Sequence, residues 1–176
     1  MAQRPIAVGD PAPPFSLRTS DGKTVTLSDF LGKHIVLYFY PKDDTPGCTK
    51  EACSFQANRA QLTKSDAVVL GISRDDTVSH QRFATKFHLT FPLLSDPDAL
   101  VCKAYGVYKQ KSMYGRTYWG IERTTFIIDA QGRMARIFPK VSVDGHTEAV
   151  LDALRELQRA SSSASRRATS SATPPR

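Results

Sequence analysis

Residues 35–53 read Ile35-Val36-Leu37-Tyr38-Phe39-Tyr40-Pro41-Lys42-Asp43-Asp44-Thr45-Pro46-Gly47-Cys48-Thr49-Lys50-Glu51-Ala52-Cys53. The first six residues are apolar, β-branched or aromatic, which is typical of a strand in a sheet that is covered on both faces. Pro41 ends this strand, Thr45 can cap the helix that follows, and Pro46 suits the first helical position. The pattern therefore places Cys48 in the first turn of a helix, directly after a buried strand.

That position suits a reactive thiol. The free amide groups and the dipole at a helix N-terminus stabilise an anion, so they favour the thiolate of Cys48 over the thiol. The alternative is that Cys48 is a small buried apolar residue, which is the usual fate of a free cysteine. A Thr-Pro-Gly-Cys segment at a strand-to-helix junction is an unusual place for a core residue, and this favours the reactive interpretation.

The junction resembles a motif of the peroxiredoxins. Pro41, Thr45 and Cys48 match the family's Pro-x-x-x-Thr-x-x-Cys pattern, and the spacing of Cys48 and Cys53 resembles the peroxiredoxin Q type, also called bacterioferritin comigratory protein. The resemblance extends over residues 8–158. It implies an α/β fold, a thioredoxin-like three-layer sandwich with an N-terminal β-hairpin. It also implies reduction of hydrogen peroxide and organic hydroperoxides by a cysteine that thioredoxin or a similar dithiol donor recycles.

A second block supports the resemblance. Residues 120–129 read Gly-Ile-Glu-Arg-Thr-Thr-Phe-Ile-Ile-Asp and resemble the family's downstream segment, in which an arginine opens a strand beside the cysteine. The resemblance thus implies a catalytic role for Arg123, and the planar fork of guanidinium donors suits developing negative charge. Thr45 offers a hydroxyl to the same site, and Pro41, which lacks an N–H, shapes the loop around it.

The same resemblance makes Cys53 the resolving cysteine, which condenses with the sulfenic acid of Cys48. Five residues along a helix correspond to a rise of about 7.5 Å and a separation of roughly 8–9 Å between the two Cα atoms. A disulfide tolerates at most about 7 Å, so the helical turn must unwind before the bond forms. The alternative for Cys53 is a helix-face residue without redox use. Cys102 has no counterpart in the family, and we expect it to be buried.

Other candidates are weaker. Tyr40 and Trp119 could line the pocket or belong to the core. The four histidines show no spacing typical of metal ligands, and we assign no metal and no cofactor; they are His34, His80, His88 and His146. Two other functions remain open. One is a copper-binding protein of thioredoxin fold that uses Cys48, Cys53 and a distant histidine, and the other is a nucleic-acid-binding module that uses a basic tail.

Length and composition favour one soluble domain. The chain has 176 residues, of which 40% are hydrophobic, and no apolar run is long enough to span a bilayer. Because no apolar signal core follows the N-terminus, we expect a cytoplasmic location. The formal charge is +7, and residues 161–176 contain arginines but no acid, so the remainder is only mildly basic. Nucleic-acid binding is therefore not expected, and an internal Cys53 favours a monomer.

Patterning along the chain predicts alternating strands and helices. We expect a hairpin from 15–19 and 23–27, strands at 67–73 and 91–95, and a late hairpin from 123–129 and 133–138. We expect a short helical turn capped by Ser28, and helices over 46–64, 77–87, 98–105 and 146–159. The segment 107–120 has no clear assignment. Residues 1–159 form the predicted domain, and residues 160–176, rich in Ser, Ala, Thr and Arg, form a predicted disordered tail.

Overall fold

The computed structural model describes residues 4–170, with side-chain surroundings as far as residue 165. The nine strands in chain order are β1 Ser16–Thr19, β2 Thr24–Thr26, β3 His34–Phe39, β4 Ala67–Ser73, β5 Leu93–Ser95, β6 Tyr108–Met113, β7 Arg116–Ile121, β8 Thr124–Ile128 and β9 Met134–Phe138. The α-helices are α1 Pro46–Ala57, α2 Arg59–Lys64, α3 Thr77–Phe87, α4 Leu100–Ala104 and α5 His146–Ser170. In the part of the chain that the structure describes, no helix is both long and apolar enough to cross a membrane.

Strand β3 lies inside a seven-stranded sheet of order β2-β1-β5-β4-β3-β8-β9. It pairs in parallel with β4 and antiparallel with β8. Alternate residues of a strand point to opposite faces, and β3 follows this rule, because Ile35 and Leu37 belong to one buried cluster while Val36 and Tyr38 belong to the other. Both faces of the sheet are therefore covered. This confirms the predicted thioredoxin-like three-layer α/β sandwich.

The predicted N-terminal hairpin is confirmed. Strand β1 pairs antiparallel with β2, and its other edge pairs with β5, which joins the hairpin to the main sheet. The short helical turn that follows spans Leu27–Phe30, and its cap is Thr26. The prediction of Ser28 as the cap is wrong, because Asp29 accepts a hydrogen bond from the Thr26 amide and so fixes the start of the turn two residues earlier.

The unassigned segment forms a two-stranded hairpin of its own, in which β6 pairs with β7. Four large side chains of this hairpin are exposed: Met113, Tyr114, Tyr118 and Trp119. Within the hairpin only Ile121, at the end of β7, is buried, so its residues do not alternate between apolar and polar. This explains why the sequence of segment 107–120 shows no alternating pattern that would predict strands.

Two helices differ from prediction. The expected helix 46–64 is divided at Asn58, whose side chain donates to the carbonyl of Ser54 over 2.8 Å. Helix α5 does not end near Arg159 but continues to Ser170, so the described part of the predicted tail is helical. The segment lacks Gly and Pro, and nothing in its sequence stops the helix. The remainder of the tail, 171–176, lies outside the described residues, and the division into domain and tail stays a prediction.

Candidate active site

Cys48 lies in the first turn of α1, as predicted, and its side chain is buried. Thr45 is the N-cap, with extended backbone, and Pro46 is the first helical residue. The Thr45 hydroxyl does not cap the helix, however, because it donates to the carbonyl of Lys42 over 2.8 Å. Its hydrogen is therefore engaged, and its lone pairs are left to accept.

Arg123 reaches this cysteine from the junction between β7 and β8. Its Nη2 donates to the Sγ of Cys48 over 3.3 Å, and its Nη1 donates to Oε1 of Glu51 over 2.8 Å. The antiparallel pairing of β8 with β3 sets Thr124 beside Phe39, so the residue that opens β8 stands where β3 ends. One guanidinium thus holds a sulfur and a carboxylate together, and only 17% of the arginine side chain is exposed.

The sequence patterns did not identify Glu51 as a residue of this site. Its side chain is 1% exposed, and burial raises the pKa of this carboxyl to about 7 although the Arg123 charge works in the opposite direction. Burial lowers the pKa of Arg123, but the neighbouring Glu51 and Cys48 raise it by more, so the arginine pKa lies above its ordinary value. A signal was present, because Glu51 follows Cys48 by three residues and so shares its helix face. An acid on an apolar helix face needs a buried partner.

The β6–β7 hairpin supplies a second cation near the sulfur. Lys111 of β6 donates to the carbonyl of Ile121, and its pKa is lowered first by burial and then by the Arg123 charge. Gly47 allows the arginine to approach the helix, since a Cβ there would lie 3.2 Å from Nη2. The guanidinium of Arg123 and the first turn of α1 therefore lie against Cys48, and the charge of Lys111 lies in the same electrostatic environment.

The structure separates the other two cysteines from this sulfur. Cys53 is half-buried in the unbroken helix α1, and burial raises its thiol pKa. Cys102 is buried in the apolar cluster on the opposite face of the sheet, where burial raises its pKa far above the ordinary value. All three are free thiols. Burial of Cys102 is confirmed, and the sheet lies between it and Cys48.

The three remaining candidate residues, Pro41, Tyr40 and Trp119, differ in how far their side chains are buried. Pro41 is exposed just after β3. Tyr40 is buried in the core. Trp119 is 57% exposed and stacks on Tyr108 with ring centroids 5.6 Å apart, so it is not a core residue.

Only one group of three possible metal ligands lies close together within residues 4–165. It consists of Asp43, Asp75 and His80, whose ligand atoms lie within 4.8 Å of one another. Neither Cys48 nor Cys53 belongs to it. A copper site built on the two cysteines and a histidine is therefore not assembled in this conformation.

Comparison with known proteins gives a consistent assignment. Residues 8–137 match the model of the AhpC/TSA family. A putative peroxiredoxin bcp of Coxiella burnetii is 53% identical over 149 residues, which cover 85% of this chain and 99% of the relative. Peroxiredoxin Bcp of Escherichia coli K12 is 46% identical over 152 residues, covering 86% and 97%.

Solved structures agree. Peroxiredoxin Q of Xanthomonas campestris superposes with a TM-score of 0.78 at 44% identity, covering 81% of this chain and 90% of that one. A mutant of Xylella fastidiosa PrxQ gives a TM-score of 0.84 at 41% identity, covering 89% and 99%. A third structure, of the Xanthomonas campestris bacterioferritin comigratory protein, is described in terms of alkyl peroxide reduction activity. The chain therefore belongs to the AhpC/TSA family and is a peroxiredoxin of the peroxiredoxin Q, or bacterioferritin comigratory protein, type.

Proposed function

We propose that the chain reduces hydrogen peroxide and organic hydroperoxides through a Cys48 thiolate, a sulfenic acid and an internal Cys48–Cys53 disulfide, which thioredoxin or a similar dithiol donor reduces. The observation that carries this proposal is the contact of 3.3 Å between Nη2 of Arg123 and Sγ of Cys48. A hydrogen bond to a charged donor favours the thiolate, and the thiolate is the nucleophile.

In the first step the Cys48 thiolate attacks the terminal oxygen of ROOH. The S–O bond forms, the O–O bond breaks, and the electron pair moves to the leaving oxygen, which takes up a proton to give water or an alcohol. Arg123 stabilises the charge that develops on the oxygens. Thr45 presents lone pairs, because its hydrogen is engaged by Lys42, so it can accept the hydroxyl hydrogen of the peroxide. Pro41 shapes the loop that carries Thr45.

In the second step the Cys53 thiol condenses with the sulfenic acid. The S–S bond forms and water leaves. Because both cysteines lie in the unbroken helix α1, their Cα atoms are separated by roughly 8–9 Å, beyond the reach of a disulfide. The helix must open between them. Opening also exposes Cys53 to water, which removes the burial that raises its thiol pKa and so makes it a better nucleophile.

The test adds one equivalent of peroxide to the reduced protein and maps the disulfides by peptide mass spectrometry. Wild type should give a Cys48–Cys53 bond in a monomer and lose helical circular dichroism, and thioredoxin should reverse both changes. Cys48→Ser should not consume peroxide. Cys53→Ser should consume the first equivalent and then fail to recycle. Cys102→Ser is the matched control and should behave like wild type, because Cys102 is buried across the sheet. A Cys48–Cys102 bond or a linked dimer as the main product would refute the assignment of Cys53.

Several expectations stay predictions within this proposal. A monomer is expected because the resolving cysteine is internal, and a cytoplasmic location is expected because that compartment maintains dithiol reductants. Nucleic-acid binding through the tail is not part of the proposed function. A salt-dependent gel shift that disappears when residues 160–176 are removed would favour it instead.

A further inference from the structure

The loop before Cys48 is tied to helix α3 through the buried side chain of Asp43. One carboxylate oxygen, Oδ2, lies 2.7 Å from Nδ1 of His80 and accepts a hydrogen bond from the Ser79 hydroxyl over 2.8 Å. The other oxygen, Oδ1, accepts from the Tyr40 hydroxyl over 2.6 Å. A buried carboxylate is stable only when its oxygens are satisfied in this way.

Both ring nitrogens of His80 face acceptors. The side chain is fully buried, and Nε2 lies 2.9 Å from the carbonyl oxygen of Leu94, which can only accept, so Nε2 carries a hydrogen. A neutral imidazole has only one N–H. The contact of 2.7 Å between Nδ1 and Oδ2 of Asp43 therefore requires one more proton between the two groups. His80 and Asp43 share that proton within the core.

A metal ion does not explain the short contact. Two ligands of one ion, each bound at about 2.0–2.2 Å, lie roughly 3 Å or more apart. The 2.7 Å between His80 and Asp43 is shorter than that. The third possible ligand, Asp75, already accepts from the Asp43 amide over 2.8 Å and from the Ser73 hydroxyl over 2.7 Å. The cluster is complete as a hydrogen-bonded network.

The network holds the segment that leads to the reactive sulfur. Next to Asp43, Asp44 adopts a left-handed backbone with φ of 57° and forms an ion pair of 2.8 Å with Lys86 of α3. The Thr45 hydroxyl is fixed by its bond to Lys42. Thr45 is also the N-cap of α1, so the direction of the first helical turn depends on this loop.

We propose that His80 is a positioning residue for the peroxide reaction. By sharing a proton with Asp43 it holds loop 42–45 so that Thr45 and the Cys48 sulfur face the peroxide together. This inference rests on the proposed function. It also places the opening of α1 on the Cys53 side of Cys48, because the loop on the other side stays clamped to α3.

The test compares two reactions of reduced Cys48 in full-length protein. One is oxidation by hydrogen peroxide in a single turnover, which needs Thr45 and Arg123 in place. The other is alkylation by iodoacetamide, which needs only an accessible thiolate. His80→Phe keeps a ring but removes both donors, and it should slow peroxide oxidation by about 100-fold, the loss expected from a misplacement near 1 Å. Its alkylation rate should change little.

Two further variants make the comparison specific. His80→Asn keeps an N–H close to the position of Nδ1 and should recover most of the peroxide rate. His88→Asn is the matched control, because His88 is an exposed histidine at the end of the same helix, with φ of 54°, which Asn tolerates. It should react like wild type.

Two outcomes would overturn the inference. His80→Phe could oxidise as fast as wild type, or it could lose peroxide and iodoacetamide reactivity in equal proportion, which would indicate general disruption of the site. Should His80→Phe fail to fold, Asp43→Ala removes both carboxylate oxygens, tests the same clamp from the loop side and should show the same selective loss. A wild-type protein whose Cys48 does not react with peroxide would refute the proposed function instead.

Discussion

Glu51→Gln should change how stability depends on pH. Burial raises the pKa of Glu51 from its ordinary 4.5 to about 7. Between these values the folded state binds more protons than the unfolded state, so the free energy of unfolding falls as pH rises. The shift corresponds to about 3 kcal/mol in total. Glutamine does not titrate, so the variant should gain about 3 kcal/mol over wild type between pH 4.5 and pH 8.

The titration of His146 changes the free energy of unfolding in the opposite direction. Burial, followed by the Arg123 charge, lowers its pKa from 6.5 to about 4. Here the unfolded state binds more protons between the two values, so the free energy of unfolding rises with pH over pH 4–6.5, again by about 3 kcal/mol. In wild type the two contributions oppose each other and largely cancel between pH 4.5 and 6.5. Glu51→Gln should expose the rising contribution of His146.

The assay is urea unfolding of reduced protein at closely spaced values from pH 4.5 to 8, followed by far-UV circular dichroism. The free energy of unfolding of wild type should be nearly constant from pH 4.5 to 6.5, whereas that of Glu51→Gln should rise up to about pH 6.5 and then level off. In the double variant Glu51→Gln, His146→Gln the free energy of unfolding should again be independent of pH, which separates the contribution of Glu51 from that of His146. A stability difference between Glu51→Gln and wild type that stays constant from pH 4.5 to 8 would refute the assignment of Glu51 as a buried titrating acid.

Three other changes test separate parts of the structure. Arg123→Lys should lose about 2–4 kcal/mol of transition-state stabilisation in peroxide reduction, since a point charge cannot replace a planar fork; near-wild-type kcat/KM would make Arg123 structural only. Gly71→Ala should cost about 1–3 kcal/mol of stability in urea unfolding, because the added Cβ would lie 3.0 Å from ring atoms of the buried Tyr38; an unchanged midpoint would show that the ring can move. Deleting residues 160–176 should shift the melting temperature by less than about 2 °C in calorimetry, because side chains 160–165 are exposed; a larger loss would mean that the helix extension docks on the domain.

Local features of this protein could be predicted from the sequence. The buried strand β3, the start of α1 after Thr45 and the place of Cys48 in the first turn all depend on neighbouring residues, because backbone propensity acts over a few positions. That a Cys48–Cys53 disulfide would require α1 to unwind also follows from spacing alone, since helix geometry fixes the Cα separation of the two residues. The role of Arg123 came from the resemblance, not from local pattern.

Tertiary structure decided everything that depends on approach between distant segments. Only the antiparallel pairing of β8 with β3 brings Arg123 to the Cys48 sulfur, and only burial makes Glu51 its partner with a pKa of about 7. The proton shared by His80 and Asp43 likewise exists because α3 packs against the loop. Charge, burial and hydrogen-bond partners are set by packing across the fold, so the sequence by itself determined where Cys48 stands, while the tertiary structure determined what surrounds it.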